Sequence, residues 1–176
     1  MVNLLFNLLY DALSKPRPEP MPSFQTQRRV AHSAAQMFDL VADVEAYPQF
    51  LPMCTGLKVR SRTADGQGRV ELVADMEVGY KAIRERFSSR VTLDRAALKI
   101  GVEYIDGPFS HLNNIWRFSD EASTGKPASK VDFDIDYQFR NKLLGMLMGS
   151  MFDIAFRKFA GAFEERADKV YGRATA

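Results

Sequence analysis

The strongest constraint on the fold is an alternation of apolar and polar residues that runs from about residue 57 to residue 140. Successive side chains of an extended strand point to opposite faces, so each alternating run predicts a strand with one apolar face. Six such runs follow one another, separated by turn-forming residues such as those at 65–68. The pattern predicts an antiparallel meander with one solvent-facing side, whose other side needs an apolar cover.

The segment Lys142–Tyr171 is predicted to supply that cover as one long helix. It contains no proline, and its apolar residues recur at spacings of three and four, the period of an amphipathic helix. A strand is expected at about Ser23–Val30, and Ser33 with Gln36 has the spacing of a capping box that begins a short helix. We therefore predict an α+β fold in which a curved antiparallel sheet of about six or seven strands wraps around the C-terminal helix.

Residues 1–20 are predicted to be an appendage or linker, and residues 21–176 a single domain. The apolar run at 2–10 is interrupted by two asparagines, is too short to span a membrane and lacks the features of a secretory signal. Three prolines at 16–20 then favour an extended linker. The chain is 46% apolar, which excludes extensive disorder. We expect a cytoplasmic location, with a peripheral position on the inner membrane as the alternative.

Charge and cysteine content exclude several kinds of function. The 24 Lys and Arg residues against 22 Asp and Glu give a net charge of +2, too small for a protein that binds DNA through phosphate contacts. Cys54 is the sole cysteine, which excludes an intramolecular disulfide and a zinc site built from cysteines. Asp132, Asp134 and Asp136 are about 7 Å apart along one strand face, so they are interpreted as solvated or ion-paired. No metal site and no DNA partner are predicted.

Candidates for enzyme chemistry are few. His32 and His111 are the two histidines, and both are interpreted as surface or loop residues rather than general bases. The chain contains no motif of a metalloprotease, a serine hydrolase or a phosphate-binding loop. The protein is therefore predicted not to be an enzyme, and no catalytic residue is assigned.

The first half of the predicted C-terminal helix is apolar on nearly all sides, whereas packing on one sheet requires a stripe of about 100°. One interpretation is a helix buried on several sides in an ordinary core. The other is that the sheet curls away from this half and leaves an apolar tunnel or a lipid-facing mouth. Met146, Met148 and Met151 suit a surface that accommodates variable apolar ligands, although clustered methionines also fill ordinary cores.

Two polar residues, Glu85 and Asn114, share the inward parity of their apolar neighbours. A carboxylate on an apolar face costs several kcal/mol unless it is paired or hydrogen-bonded. Each residue has two interpretations. One is a strand-end position open to water or a structural hydrogen bond. In the other, these residues and Tyr104 are the few polar groups that orient the head of a ligand in an apolar pocket.

Basic residues occupy outward positions on the strands that flank an acidic strand face carrying Glu71, Asp75 and Glu77. These basic residues are Lys58, Arg60, Arg62, Arg84, Arg86 and Arg90. Their placement favours cross-strand ion pairs. A stripe that binds RNA is the alternative, although no aromatic residues are interleaved with it.

Three motifs, at residues 47–52, 106–109 and 112–118, carry a resemblance to a known family. From about residue 23 to residue 173 the chain resembles the coenzyme Q-binding START-like proteins of the polyketide cyclase/dehydrase and lipid transport superfamily. The resemblance implies a helix-grip fold with two short helices after the first strand. The residue pattern alone predicts one short helix there, followed by a tight turn at 47–52.

The resemblance also implies a function. It implies non-catalytic binding or transfer of ubiquinone (coenzyme Q) or a similar polyprenylated lipid in an apolar cavity, in support of respiratory electron transport, with no covalent cofactor. Bacterial relatives include a ribosome-association toxin, so a ribosomal subunit is an alternative partner. An aromatase or cyclase enzyme is a further alternative.

The predicted ligand-binding residues combine motif positions with inward-facing residues. They are Tyr47, Pro48, Phe50, Pro52, Glu85, Tyr104, Asn114, Trp116, Phe118, Phe133, Met148, Phe152 and Phe156. The quinone ring is expected near Tyr104, Asn114 and Trp116, and the isoprenoid tail along the helix. Residues 47–52 and the loop at 106–109, with its motif positions Gly107, Pro108 and Phe109, are expected to form the mouth.

Overall fold

The computed structural model describes residues 21–80, 82–122 and 126–173, and of residues 147–153 it describes the helical backbone. The predicted appendage at 1–20 lies outside the described residues. In chain order the elements are β1 (Ser23–Val30), α1 (Ala34–Ala42), a 3₁₀ helix (Val44–Gln49), β2 (Cys54–Ala64), β3 (Arg69–Tyr80), β4 (Ile83–Asp94), β5 (Lys99–Asp106), β6 (Phe109–Asp120), β7 (Ser129–Phe139) and α2 (Lys142–Tyr171).

The strands form one antiparallel sheet in the order β1-β7-β6-β5-β4-β3-β2. Strands β2 to β7 are the predicted meander, and β1 pairs with β7 at one end. Register shifts in β2, β5 and β6 mark β-bulges, which bend strands and increase their twist. The predicted α+β architecture, a curved antiparallel sheet with one long C-terminal helix, is confirmed.

The capping box that begins α1 is also confirmed. The Oγ of Ser33 accepts a hydrogen bond from the backbone N–H of Gln36 at 3.2 Å, and the Gln36 side chain accepts one from the Ser33 N–H at 2.9 Å. The tight turn expected at 47–52 is confirmed only in its second half, because residues Val44–Gln49 form a 3₁₀ helix and the turns follow at 50–53. The hydroxyl of Tyr47 donates to the carbonyl of Val41 at 2.6 Å, and this contact folds the segment back against α1. The second short helix therefore matches what the family resemblance implied.

The last turns of α2 pack against the rest of the fold. Phe163 is 3% exposed and Ala167 is fully buried. The expectation that His32 is a surface or loop residue is wrong in one respect, since its side chain is buried. Its Nε2 lies 2.9 Å from Oδ1 of Asp168, because the end of α2 covers the connection between β1 and α1.

Asp75 is buried, although its whole strand face was expected to be exposed to solvent. It has the outward parity of β3, yet its side chain is only 3% exposed. The Nε of Arg60 on β2 donates to its Oδ2 at 2.6 Å, Arg86 on β4 donates to the same oxygen, and the Oγ of Ser88 donates to Oδ1 at 2.6 Å. The arginines cover the carboxylate and keep their own charges about half exposed. Ion pairing across strands was the favoured interpretation of the outward arginines. It is confirmed for Arg60 and Arg86, which both pair with Asp75.

Replacing Asp75 with asparagine is expected to lower the free energy of unfolding by about 2 kcal/mol near neutral pH, since hydrogen bonds to charged groups are lost. Burial by itself raises the pKa of this carboxyl, but hydrogen bonds from Ser88, Arg86 and Arg60 outweigh it and lower the pKa from 3.8 to about 2. The folded-state pKa lies below the unfolded one. The ionised group therefore stabilises the fold above about pH 4, and this stabilisation is lost as the pH falls towards 2.

Urea unfolding of both proteins between neutral pH and about pH 3 measures this dependence. The difference between wild type and Asp75→Asn should shrink as the pH is lowered. A difference that stays constant over this range would contradict a stabilising role for the ionised carboxylate.

Candidate functional site

An apolar cavity of about 160 Å³ lies between the concave face of the sheet and α2. Inward-facing residues of β2 to β7 form one wall, the end of α1 and the 3₁₀ helix form a second, and Ala155, Phe156 and Phe159 of α2 form a third. An apolar cavity of roughly 150 Å³ stays dry and accepts a benzene-sized ligand. The space therefore suits one ring or a short apolar stretch of a ligand.

The polar groups on the cavity wall are few, and those of Asn114, Trp116 and Tyr47 are engaged with the protein itself. The amide nitrogen of Asn114 donates to the carbonyl of Asp134 at 2.9 Å, and its Oδ1 accepts from the indole N–H of Trp116 at 2.8 Å. The hydroxyl of Tyr47 donates a hydrogen bond to the carbonyl of Val41. Burial, with smaller contributions from Cys54 and Asp43, raises the pKa of Tyr47, so its hydroxyl stays protonated.

Charge is missing from this wall. Over the part of the chain that the structure describes, no Asp, Glu, His, Lys, Arg or Cys side chain lines the cavity. The same residues contain no group of three or more His, Cys, Asp or Glu side chains that could hold a metal ion. The arrangement can enclose an apolar molecule, and the phenols of Tyr47 and Tyr80 are the titratable groups that the described wall places next to that molecule.

One end of the cavity lies at the connection between β3 and β4. Tyr80 lines the cavity and is 37% exposed, so the lining here includes a residue at the molecular surface. Met53, another lining residue, has a left-handed backbone with φ of 65°, and its carbonyl accepts from the N–H of Gly79 at 2.9 Å. A Cβ on Gly79 would stand 2.9 Å from Cγ2 of Thr55, so a larger residue there would require the Thr55 side chain to shift.

This geometry can be set beside known proteins. The family described as "Polyketide cyclase / dehydrase and lipid transport" matches residues 30–164. The chain belongs to this family. The resemblance inferred from the three motifs is therefore confirmed.

Relatives within the polyketide cyclase/dehydrase and lipid transport family differ in what their names say. The "Ribosome association toxin RatA" of Escherichia coli is 33% identical over 151 residues, which cover 86% of this chain and 90% of that protein. The "Coenzyme Q-binding protein COQ10 homolog B, mitochondrial" of Xenopus laevis is 32% identical over 151 residues, which cover 85% of this chain and 59% of that protein. An 18 kDa protein of Caulobacter crescentus has a solution structure that superimposes with a TM-score of 0.72, at 35% identity over 87% of this chain and 100% of that one.

Five of the predicted ligand-binding residues line the cavity of this family member. They are Tyr47, Asn114, Trp116, Phe133 and Phe156. The rings of Trp116 and Phe133 are 4.5 Å apart between centroids, and those of Phe133 and Phe156 are 5.9 Å apart. These residues come from the 3₁₀ helix, β6, β7 and α2, so the fold brings distant motif positions to one wall.

The motif at 47–52 otherwise shapes the fold, and three of its predicted ligand-binding residues lie outside the cavity lining. Pro48 is exposed on the 3₁₀ helix, and Pro52 is half-buried outside the cavity lining. Phe50 lies outside the lining and packs edge-on against Tyr47 and Phe163 at 5.9 and 5.3 Å between centroids. The motif thereby holds α2 against the 3₁₀ helix.

Three further predicted residues also lie outside the lining. Phe118 is buried behind Trp116, stacked on it at 6.3 Å between centroids. Glu85 is half-buried close to the connection between β3 and β4, in line with the strand-end interpretation rather than the ligand-binding one. Tyr104 packs edge-on against Phe109 at 5.8 Å, and its buried hydroxyl has no hydrogen-bond partner among the described residues.

The loop at 106–109, which was expected to form the mouth, contributes no residue to the cavity lining. Phe109 is 1% exposed and lies in the core against Phe87, Tyr104 and Phe139. Gly107 has a φ of 134°, which favours glycine, and it packs directly on Phe87. The motif therefore supports the cavity wall from behind, since Phe87 itself lines the cavity.

Two predicted tail contacts, Met148 and Phe152, have side chains outside the described residues. Several residues that line the cavity were not predicted from the sequence to contact a ligand, among them Met53, Met76, Ile83, Phe87 and Phe159. The inward parity of β3 and β4 and the spacing along α2 could have indicated all of these except Met53. Met53 lies between elements, where no periodicity applies.

The described residues contain no helix with the length and apolar character needed to cross a bilayer.

Proposed function

We propose that the protein binds an isoprenoid quinone such as ubiquinone, or a similar polyprenylated lipid, in this cavity without catalysing a reaction, and so supports respiratory electron transport. The observation that carries the proposal is the apolar, uncharged cavity between the sheet and α2. The name of the coenzyme Q-binding relative supports the choice of ligand.

The size of the cavity indicates which part of the ligand it encloses. About 160 Å³ holds a ring, or the first part of a tail, rather than a long polyprenyl chain. Aromatic rings of Trp116, Phe133 and Phe156 offer faces and edges to such a ring. Each buried methylene of the tail adds about 0.8 kcal/mol, so affinity comes from enclosed carbon rather than from strong polar contacts. The remainder of the tail leaves the cavity near Tyr80.

Non-catalytic binding is favoured over the aromatase or cyclase alternative by the composition of the wall. Acid–base catalysis needs a titratable group within hydrogen-bond reach of the substrate. Tyr47 is held protonated by burial, and Glu85 lies outside the lining. A cyclase would have to use a tyrosine phenol, since the described wall carries no carboxylate, imidazole or amine side chain.

Trp116 allows a direct test, because it is the sole tryptophan of the chain and lines the cavity. We expect a short-tailed ubiquinone to quench its fluorescence in a saturable titration, since quinones accept electrons from excited indole at contact distance. The variant Trp116→Phe keeps an aromatic ring and provides the blank. Mass spectrometry of lipids extracted from the purified protein tests the occupant independently.

Linear, non-saturable quenching equal to that of free tryptophan would contradict quinone binding at this site. So would a purified protein that contains no isoprenoid and whose Tm no quinone shifts.

Association with a ribosomal subunit is the second candidate function, and the 33% identity to a ribosome association toxin favours it. Cosedimentation of the purified chain with ribosomal subunits tests this function directly. Binding through phosphates would weaken steeply with salt, because each phosphate contact releases counterions. Quinone binding in the apolar cavity would not weaken in this way, so the two functions are separable in one salt series.

A further inference from the structure

The outer side of the first half of α2 carries apolar side chains that the fold leaves uncovered. Leu143 is 63% exposed, Met146 is 81% exposed and Ile154 is 53% exposed. At 100° per residue these three positions fall within about 80° of the helix circumference. They form a stripe about 17 Å long, which we call the α2 outer stripe. Ala155, the next residue along, is buried and lines the cavity on the opposite side of the same helix.

Positive charge surrounds the α2 outer stripe. Residues 138–163 contain four basic residues, Arg140, Lys142, Arg157 and Lys158, and one acidic residue, Asp153, a net of +3 in a chain whose total is +2. All four basic side chains are exposed. Lys142 and Lys158 project to the two sides of the stripe by the same helical geometry.

The second half of α2 lacks this asymmetry. Residues 164–173 carry three basic and three acidic residues and are neutral. Several of these charges are already paired: Glu164 with Arg28, and Asp168 with His32 and Arg173. The combination of an exposed apolar stripe with excess positive charge is therefore specific to the first half of the helix.

We propose that the α2 outer stripe docks the protein on an anionic phospholipid bilayer. A helix with one apolar face and basic flanks lies in the plane of a membrane interface, with its apolar side chains among the acyl chains and its cations beside the headgroups. The positive flank of the α2 outer stripe complements a negatively charged lipid surface. Docking in this orientation places α2 between the bilayer and the cavity, with Ile154 facing lipid and Ala155 facing the bound ligand.

Flotation of the full chain with quinone-free vesicles tests docking. We expect binding to vesicles that mix phosphatidylglycerol with phosphatidylcholine, and weaker binding to phosphatidylcholine alone. The double variant Leu143→Glu/Met146→Glu should reduce the vesicle-bound fraction roughly tenfold or more, since two large apolar contacts are lost. Val170→Glu is the matched control, because Val170 is 49% exposed on the neutral half of the same helix. It should bind like the wild type.

Quenching of Trp116 by a short-tailed ubiquinone, measured without vesicles, separates docking from ligand binding. The double variant should retain it, because the substituted side chains point away from the cavity, and its Tm should match that of the wild type.

Three results would overturn the proposal. The first is undiminished flotation of the double variant, or equal binding to neutral and anionic vesicles. The second is loss of flotation in Leu5→Glu/Leu8→Glu, with the double variant unaffected, which would assign membrane contact to residues 1–20. The third is a wild-type dimer that ignores vesicles and that Leu143→Glu/Met146→Glu dissociates, which would assign the stripe to a second copy of the chain.

Discussion

Replacing Ala155 with leucine is expected to reduce quinone binding more than about a hundredfold, or about 2.7 kcal/mol, while leaving the fold at least as stable. Ala155 is 5% exposed and lines the cavity, so the added carbons occupy the space that the ligand needs. Leucine is nearly as good a helix former as alanine, and filling a void commonly adds roughly 0.5–2 kcal/mol to the free energy of unfolding. Titration of Trp116 fluorescence and urea unfolding measure the two effects separately.

The same substitution at Ala167 is the matched control. Ala167 lies on the same helix and is fully buried, but it does not line the cavity. A leucine there overpacks a filled core and should cost about 1–3 kcal/mol of stability. If Ala155→Leu destabilised the protein as much as Ala167→Leu, the space beside Ala155 would be filled in solution and the proposed binding site would be wrong.

Replacing Gly107 with alanine is expected to lower the free energy of unfolding by about 3 kcal/mol or more. The backbone φ of 134° is unfavourable for any residue with a Cβ, and a Cβ here would stand 2.7 Å from Cβ of Phe87 and 2.8 Å from the carbonyl oxygen of Arg86. Because Phe87 lines the cavity, the variant should also weaken quinone binding in the fraction that folds. Chemical denaturation and the Trp116 titration provide both measurements.

Gly66→Ala separates backbone strain from steric overlap. Gly66 also has a positive φ, of 74°, but a Cβ there meets nothing within 4 Å. The cost should therefore be limited to about 1–2 kcal/mol of backbone strain. Equal losses for the two variants would show that the packing of Gly107 against Phe87 contributes nothing to stability.

The fold could be predicted from the sequence because its elements are set by local periodicity and capping. Alternation at 57–140 predicted the meander, and Ser33 with Gln36 predicted the start of α1. The residue pattern alone missed the 3₁₀ helix at Val44–Gln49, which the family resemblance implied, because local periodicity does not show the contact from Tyr47 to Val41. The burial of Asp75 also escaped prediction, since two arginines from neighbouring strands must be placed over it before it leaves solvent.

The candidate site was predictable only where parity and three-dimensional placement coincide. Asn114, Trp116 and Phe133 are inward-facing residues of adjacent strands, and all three line the cavity. Glu85 has the same parity as Ile83 and Phe87, but parity cannot distinguish the middle of a curved sheet from its open end. Motif membership was equally ambiguous. Within one motif Tyr47 lines the cavity, whereas Phe50 braces the helix.

The internal hydrogen bonds of Asn114 have a consequence for selectivity. Since its amide nitrogen and its oxygen already serve Asp134 and Trp116, the wall offers an incoming molecule few directional partners to match. Discrimination between ligands of the proposed site would then depend on their volume and shape, and molecules of similar width would compete by their concentrations. A descendant of this protein would acquire a new cargo by resizing positions such as Ala74 and Ala155, without having to evolve a new headgroup-recognition site.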